Sequence, residues 1–160
     1  MKKFLIPLVA GLSLSGPVFA ESVPWGEAGN WVILVNTADN SCFAEAKYSD
    51  GTFVQIGFRA NKEKAFLASF NPVWDKHEID KTFPVMISLD DDMFEGEAHR
   101  RVLEDMAGAE IDFDNPDFLI DLAKKNVVTV SSDGDEKLQL GLEGSMEAIE
   151  ALGACQAEQG

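Results

Sequence analysis

Apolar and polar residues alternate through most of the chain, and turn residues interrupt the alternation at short intervals. A period of two is the period of a β-strand, because successive side chains of a strand point to opposite faces of the sheet. The segments with this pattern are 30–35, 42–48, 52–59, 64–70, 83–89, 93–99, 127–130 and 137–142. The pattern therefore predicts about seven or eight antiparallel strands, spaced as in sandwiches and barrels.

The turns between these segments have the residues that tight turns require. Ser49-Asp50-Gly51 separates two alternating segments, and glycine accepts the positive φ that short hairpin loops need. Asp90-Asp91-Asp92 and the segment 132–135 are placed in the same way between later strands. Each of these turns predicts a hairpin.

Two segments have the period of a helix. Asn115 and Pro116 are suited to the N-cap and the first position of one helix, whose apolar face then holds Phe118, Leu119 and Leu122. Ser145 is suited to the N-cap of a second helix, and Gly153 is predicted to end it in the left-handed conformation. The expected fold is therefore mainly β, a β-rich α+β domain built as an antiparallel sandwich or barrel with two short helices.

The first twenty residues have the features of a secretory signal. Lys2 and Lys3 precede an apolar segment, and Val18-Phe19-Ala20 ends it with small residues at the positions that signal peptidase reads. The apolar segment is shorter than the roughly 20 residues that cross a bilayer. We predict that residues 1–20 are removed, that residues 21–160 form one domain, and that the protein is periplasmic or secreted without membrane insertion.

The chain is strongly acidic, with 28 acidic and 13 basic residues. Loss of Lys2 and Lys3 with the signal would change the net charge from −15 to −17. Such a charge repels the phosphates of nucleic acid and anionic lipid. It predicts no nucleic-acid partner and favours solubility or a basic protein partner.

The two cysteines, Cys42 and Cys155, predict one disulfide, since an exported chain meets an oxidising environment. A catalytic thiol would need a basic partner, and the two histidines, His77 and His99, have no catalytic motif around them. A zinc site would need three or four ligands at spacings that the chain does not contain. Closing a loop of about 100 residues would stabilise the fold by roughly 4–5 kcal/mol in the chain-entropy description.

The two ends of the predicted domain carry a family resemblance. It consists of an early strand with a tryptophan, one cysteine after that strand and the terminal pattern L-x-G-S-x-x-A-x-x-x-L-x-x-C. The residues that carry it are Trp31, Cys42, Leu142, Gly144, Ser145, Ala148, Leu152 and Cys155. In these features the chain resembles the invasion-associated locus B family of periplasmic or secreted alphaproteobacterial proteins. The resemblance implies a small β-rich domain without an assigned enzymatic activity. The chain departs from the family in its acidity and its lack of further cysteines.

Acidic residues concentrate between positions 90 and 117, where a cation site is conceivable. Calcium takes several oxygen ligands, and the candidates are Asp90, Asp92, Glu95, Asp112 and Asp114. The EF-hand pattern is absent because Phe94 stands where the third acid belongs, so an exposed hairpin tip is the favoured interpretation. A pair of carboxylates could also serve a glycosidase, but so acidic a chain contains such pairs by chance.

Trp25 follows the export signal within a segment rich in turn residues, and it is a candidate contact for a partner. A tryptophan that covers the end of the sheet is the alternative. The sequence predicts no catalytic residue, metal or cofactor, and favours a non-enzymatic binding domain for a protein or envelope component. The alternatives are an inhibitor of a cationic hydrolase such as lysozyme, a carboxylate-based hydrolase and a calcium-binding module.

Overall fold

The structure, a computed structural model, describes residues 22–60, 62–74, 81–132 and 137–160. The predicted export signal and His77 lie outside these residues. The described chain forms ten strands and two helices: β1 (Ser22–Ala28), β2 (Trp31–Asn36), β3 (Ser41–Lys47), β4 (Phe53–Phe58), β5 (Ala65–Asn71), β6 (Thr82–Leu89), β7 (Asp92–Leu103), β8 (Met106–Phe113), α1 (Phe118–Ala123), β9 (Val127–Ser132), β10 (Lys137–Gly141) and α2 (Ser145–Gln159).

All ten strands belong to one antiparallel sheet, in the order β1-β2-β3-β4-β5-β8-β7-β6-β9-β10. The sheet curls, since the Tyr48 hydroxyl just after β3 donates to the carbonyl of Gly141 in β10, at 2.7 Å. The mainly-β prediction is confirmed. The predicted count of seven to eight strands is too low, and the sandwich or closed barrel is corrected to a single sheet that ends at β1 and β10.

The two strands that the alternation did not predict are β1 and β8. Pro24 and Gly26 interrupt β1, and its register against β2 shifts between them. Because β1 is an edge strand, a proline without an N–H is tolerated there. The residues of β8 include alanines and a glycine within an acidic segment, a composition with low strand propensity. Pairing with β5 and β7 on both sides makes this segment a strand.

The concave face of the sheet, called the inner face here, carries the main core. Cys42, Ala44 and Ala46 of β3 are buried on this face, as the alternation predicts. Every residue of β5 is buried, because its other face is covered as well. On that outer face Phe66 and Phe70 form a second apolar cluster. The central strand β5 is therefore packed on both sides.

The C-terminal helix α2 packs on β1, β2 and β3 and is joined to β3 by the predicted disulfide. Cys42 and Cys155 have their Cα atoms 6.2 Å apart and are 113 positions apart in sequence. The prediction that the helix ends at Gly153 is wrong, since the helix continues to Gln159. A glycine costs a helix about 1 kcal/mol, which the buried residues that follow it outweigh.

The start of α2 also differs from the prediction. Gly144, with a φ of 76°, is the N-cap, and Ser145 is the first helical residue. The Ser145 side chain is buried and makes no capping hydrogen bond. A left-handed residue is needed where the chain turns from β10 past Trp31 into the helix, and glycine adopts that conformation without steric cost.

Candidate binding cavity

A cavity of about 780 Å³ opens on the inner face of the sheet. Strands β5 to β10 line it, together with the segments around Asp50 and Trp74. Its apolar wall includes Leu67, Val85 and Ile111. A curled sheet brings these strands around a common space, so the cavity belongs to the tertiary fold and not to one hairpin.

Small side chains in β7 and β8 leave this space unfilled. Ala98 of β7 and Ala109 of β8 lie on the wall, where the neighbouring strands carry larger residues such as Phe83 and Leu67. Protein interiors are normally packed without voids much larger than a water molecule. The two alanines, which lie in neighbouring rows of the curled sheet, therefore leave volume that no described side chain occupies.

The strand register places one cationic and one hydroxyl side chain in the same row of this wall. Ser69 of β5 pairs with Ala109 of β8, which pairs in turn with Arg100 of β7. Neighbouring strands are about 4.8 Å apart, so Ser69 and Arg100 are separated by about 10 Å across the small side chain of Ala109. The two polar groups thus flank the alanine floor of the cavity.

Arg100 is half-buried, and its guanidinium lies 5.0 Å from the centre of the Phe83 ring. This is a cation–π contact, which neutralises no charge. Within the described residues no carboxylate forms an ion pair with Arg100. Among the described residues, the cavity wall therefore presents a cation that no carboxylate pairs with.

Ser69 is 4% exposed, and its hydroxyl has no hydrogen-bond partner among the described residues. A buried polar group without a partner costs about 1–3 kcal/mol. Nearby, the buried Asn71 side chain donates to the Thr52 hydroxyl at 2.9 Å, so that pair is satisfied. Among the described residues of this wall, Ser69 is the buried polar side chain that has no partner.

Asp50 is the one acid among the described residues that line the cavity. The backbone N–H of Thr52 donates to its carboxylate at 2.9 Å and lowers the pKa of Asp50. Asp50 is therefore ionised at neutral pH, and the hydrogen bond from Thr52 fixes its carboxylate within the turn. A carboxylate-based hydrolase needs two carboxylates across one cleft, and the described residues of this wall include one.

The predicted calcium candidates in the β6–β7 turn already have protein partners. The Asp90 carboxylate accepts hydrogen bonds from the backbone N–H groups of Asn126 at 3.2 Å and Val127 at 3.0 Å. Asp92 pairs with the ammonium of Lys125 at 2.5 Å. These carboxylates connect the turn to the start of β9.

The other calcium candidates, Glu95 in β7 and Asp112 and Asp114 in and after β8, lie away from this turn. Asp112 pairs with Arg59, and Asp114 pairs with Lys64 at 2.8 Å. Glu95 is exposed on β7. Among the residues that the structure describes, no group of three or more acidic, histidine or cysteine side chains could hold a metal ion.

The two other candidates have local roles. His99 lies on β7 with its Nδ1 3.0 Å from the Thr82 hydroxyl. Trp25 is half-buried against the core, and its indole N–H donates to Glu158 of α2 at 2.7 Å. Trp25 therefore contacts the C-terminal helix, which corresponds to the alternative in which it covers the end of the sheet.

Sequence reasoning did not select Arg100 or Ser69. One signal was present: Arg100 shares the alternation of Ala98 in β7, so it lies at a position that faces the core. A charged residue at an inward position of a strand is unusual. Ser69 gave no comparable signal, because a serine within an apolar strand is common.

These features define a class of protein: a curled antiparallel sheet with a C-terminal helix joined by a disulfide and a cavity on the inner face. No helix of the described residues is long and apolar enough to cross a membrane. No protein-family model matches the chain. No curated protein matches it either.

Among solved structures, the chain is similar to the crystal structure of invasion associated protein B from Bartonella henselae. The TM-score is 0.54 and the sequence identity 15%, and the similarity covers 86% of this chain and 99% of that chain. At this identity the similarity concerns the fold. The resemblance in the sequence is thus supported as a likeness of fold.

Proposed function

We propose that the protein is a non-enzymatic periplasmic or secreted domain that binds an apolar part of an envelope component in the cavity. The observation that carries the proposal is the cavity itself, about 780 Å³, whose wall combines ten apolar residues with seven polar or charged ones. Small-molecule sites are typically clefts of about 300–1,000 Å³, and this volume lies within that range. The residues that resemble a secretory signal support the compartment.

The support for binding comes from how the wall is built. Adjacent, hydrogen-bonded strands hold its side chains, and β5 is packed on both faces. A rigid wall costs little ordering entropy when a ligand enters. The cavity is therefore suited to bind a preformed apolar shape.

The test uses N-phenyl-1-naphthylamine, a neutral fluorescent apolar compound, titrated into the oxidised protein. We expect saturable fluorescence, and the Ala109→Leu variant should bind at least ten times more weakly because its side chain fills the cavity. Ala157→Leu is the matched control, since Ala157 is exposed on α2. The compound should also raise the thermal unfolding midpoint of the wild-type protein, which needs no variant. No saturable binding and no rise in the midpoint would contradict the proposal.

A second candidate function is the binding of a basic protein by the tip of the β6–β7 hairpin. Met93 is 67% exposed and Phe94 is 44% exposed there, next to Asp91 and Asp92. An apolar centre with an acidic rim is complementary to a basic protein surface. Inhibition of a cationic hydrolase such as lysozyme is one concrete form.

This candidate is tested by the clearing of bacterial cell walls by lysozyme at low and high salt. Inhibition should weaken as salt rises and should be lost in a variant with Met93→Ser and Phe94→Ser. Lysozyme activity that the protein does not change at low salt would exclude this form.

A further inference from the structure

We infer that the cavity takes an amphiphile with one anionic head group, which Arg100 binds while the apolar body contacts the wall. This inference rests on the proposed function and adds the chemical class of the ligand. Its head group is a carboxylate or a phosphate. Two independent observations support it. Among the described residues, no carboxylate pairs with the Arg100 guanidinium, and the buried Ser69 hydroxyl in the same row of the sheet has no hydrogen-bond partner.

The first observation gains weight from the composition of the chain. Acidic residues outnumber basic residues 28 to 13, so an arginine has an abundance of possible partners. Arg101, the next residue of β7, points to the outer face and pairs with Glu110 at 3.4 Å. Arg59 also pairs with Glu110, at 2.8 Å. Arg100 differs from both because it faces the cavity, where no described carboxylate pairs with it.

A half-buried charge without a counter-ion is disfavoured, because burial removes part of its hydration. The guanidinium has a planar fork of donors that matches the two oxygens of a carboxylate or a phosphate. An anionic head group in the cavity would therefore satisfy Arg100, and the Phe83 ring beside it would contact the first part of the apolar body.

The second observation is the Ser69 hydroxyl. It lies in the same cross-strand row as Arg100, with only the side chain of Ala109 between them. A rotation about χ1 lets a serine hydroxyl donate to an acceptor that enters the cavity. A ligand oxygen above Ala109 would then accept from Ser69, which accounts for a buried hydroxyl that the described residues leave without a partner. For Arg100 to donate to the same head group, its side chain has to turn from the Phe83 ring toward Ala109.

The negative charge of the whole protein does not prevent this local selection. At physiological ionic strength, exposed charges more than about 8 Å apart are largely screened. Among the described wall residues the one negative charge is that of Asp50, whose carboxylate accepts a hydrogen bond from Thr52 in its own turn. The charge at the alanine floor is therefore set by Arg100.

The test compares decanoate, decyl phosphate and decyltrimethylammonium by isothermal titration below their micelle concentrations. We expect both anions to bind at least ten times more tightly than the cation. Arg100→Gln should weaken both anions at least tenfold and leave the neutral N-phenyl-1-naphthylamine within twofold. Arg101→Gln is the matched control, since it removes the same charge from the opposite face of the same strand, and it should change anion binding by less than twofold.

The outcomes separate this inference from the proposed function. Binding of the neutral compound without a preference for anions, or without an effect of Arg100→Gln, overturns the inference and leaves the proposed function standing. Absence of binding by every compound overturns both. A stronger response to decyl phosphate than to decanoate would identify a phosphate head group, and the reverse a carboxylate. Unfolding midpoints show that the variants are folded. Arg100→Lys retains the charge, and it should bind the anions better than Arg100→Gln.

Discussion

Gln156 joins the last helix to the sheet through two hydrogen bonds. Its side-chain oxygen accepts from the backbone N–H of Cys42 at 2.9 Å, and its amide donates to the carbonyl of Asn40 at 3.1 Å. The residue is 5% exposed and follows Cys155 directly. It therefore satisfies backbone groups beside the disulfide that would otherwise be buried without partners.

Replacement of Gln156 by alanine should lower the free energy of unfolding by about 1–3 kcal/mol, because the buried N–H of Cys42 loses its acceptor. Urea unfolding of the oxidised protein measures this loss. Gln159→Ala removes the same side chain at the end of α2 and serves as the control, with an expected change below about 0.5 kcal/mol. Equal midpoints for the two variants would show that the contact contributes nothing.

Residue identity predicted some of these contacts and not others. The pairing of Cys42 with Cys155 followed from the presence of two cysteines in a chain whose first twenty residues predict an export signal. The hydrogen bonds of Gln156 did not follow, because a glutamine near a helix end is most often exposed. Only the docking of α2 on β3 brings it to the backbone of Asn40 and Cys42.

Between elements, two glycines determine how closely the outer-face aromatic residues approach the sheet. Gly57 of β4 lies opposite Phe43, and Gly108 of β8 lies opposite Phe70. A Cβ atom added to Gly108 would come within 2.2 Å of the Phe70 ring and 2.4 Å of the carbonyl oxygen of Ser69. The ring covers the glycine, an arrangement known to strengthen sheets at such positions.

Gly108→Ala should therefore destabilise the protein by about 1–3 kcal/mol, the usual cost of excess volume at a packed site. Gly141→Ala is the control, since a Cβ at that position of β10 meets no atom within 4 Å. Thermal unfolding followed by circular dichroism compares the two variants. A Gly108→Ala midpoint equal to that of the wild-type protein would mean that Phe70 moves aside without cost.

The same pair of strands explains why β8 escaped prediction. Its glycine and alanines are poor strand formers, yet they are the residues that fit under Phe70 and form the floor of the cavity. Strand propensity measures how well a side chain fits a pleated, half-buried surface. At β8 that surface is set by neighbouring strands distant in sequence.

At the scale of the whole molecule, carboxylates connect segments that are far apart in the chain. Asp90, in the β6–β7 turn with a φ of 51°, accepts hydrogen bonds from the backbone of Asn126 and Val127. Desolvation acts to raise the pKa of Asp90, but these hydrogen bonds outweigh it, so the pKa is lowered. A lowered pKa in the folded state means that the ionised form stabilises the fold.

The stabilisation by Asp90 therefore depends on pH. The contribution of Asp90 is fully present above its unfolded pKa, near 3.9, and is lost as the pH falls through the lower pKa of the folded state. Asp90→Asn, which tolerates the positive φ, should lower the urea midpoint at pH 7, and the difference from the wild-type protein should shrink below about pH 4. Asp91→Asn carries the same charge change without these hydrogen bonds and is the control. A difference that is independent of pH would contradict the assignment.

The sequence by itself determined the alternating strands, the hairpin turns and the mainly-β class, which depend on local composition. These follow from periodicity and residue chemistry, which act over a few positions. The sequence also determined the cysteine pair, because the chain has two cysteines. The curl of one open sheet, the strand β8, the full length of α2 and the cavity with Arg100 and Ser69 were decided only by the tertiary structure. Each of them depends on contacts between strands that are distant in sequence, where packing against a partner outweighs the propensity of the segment itself.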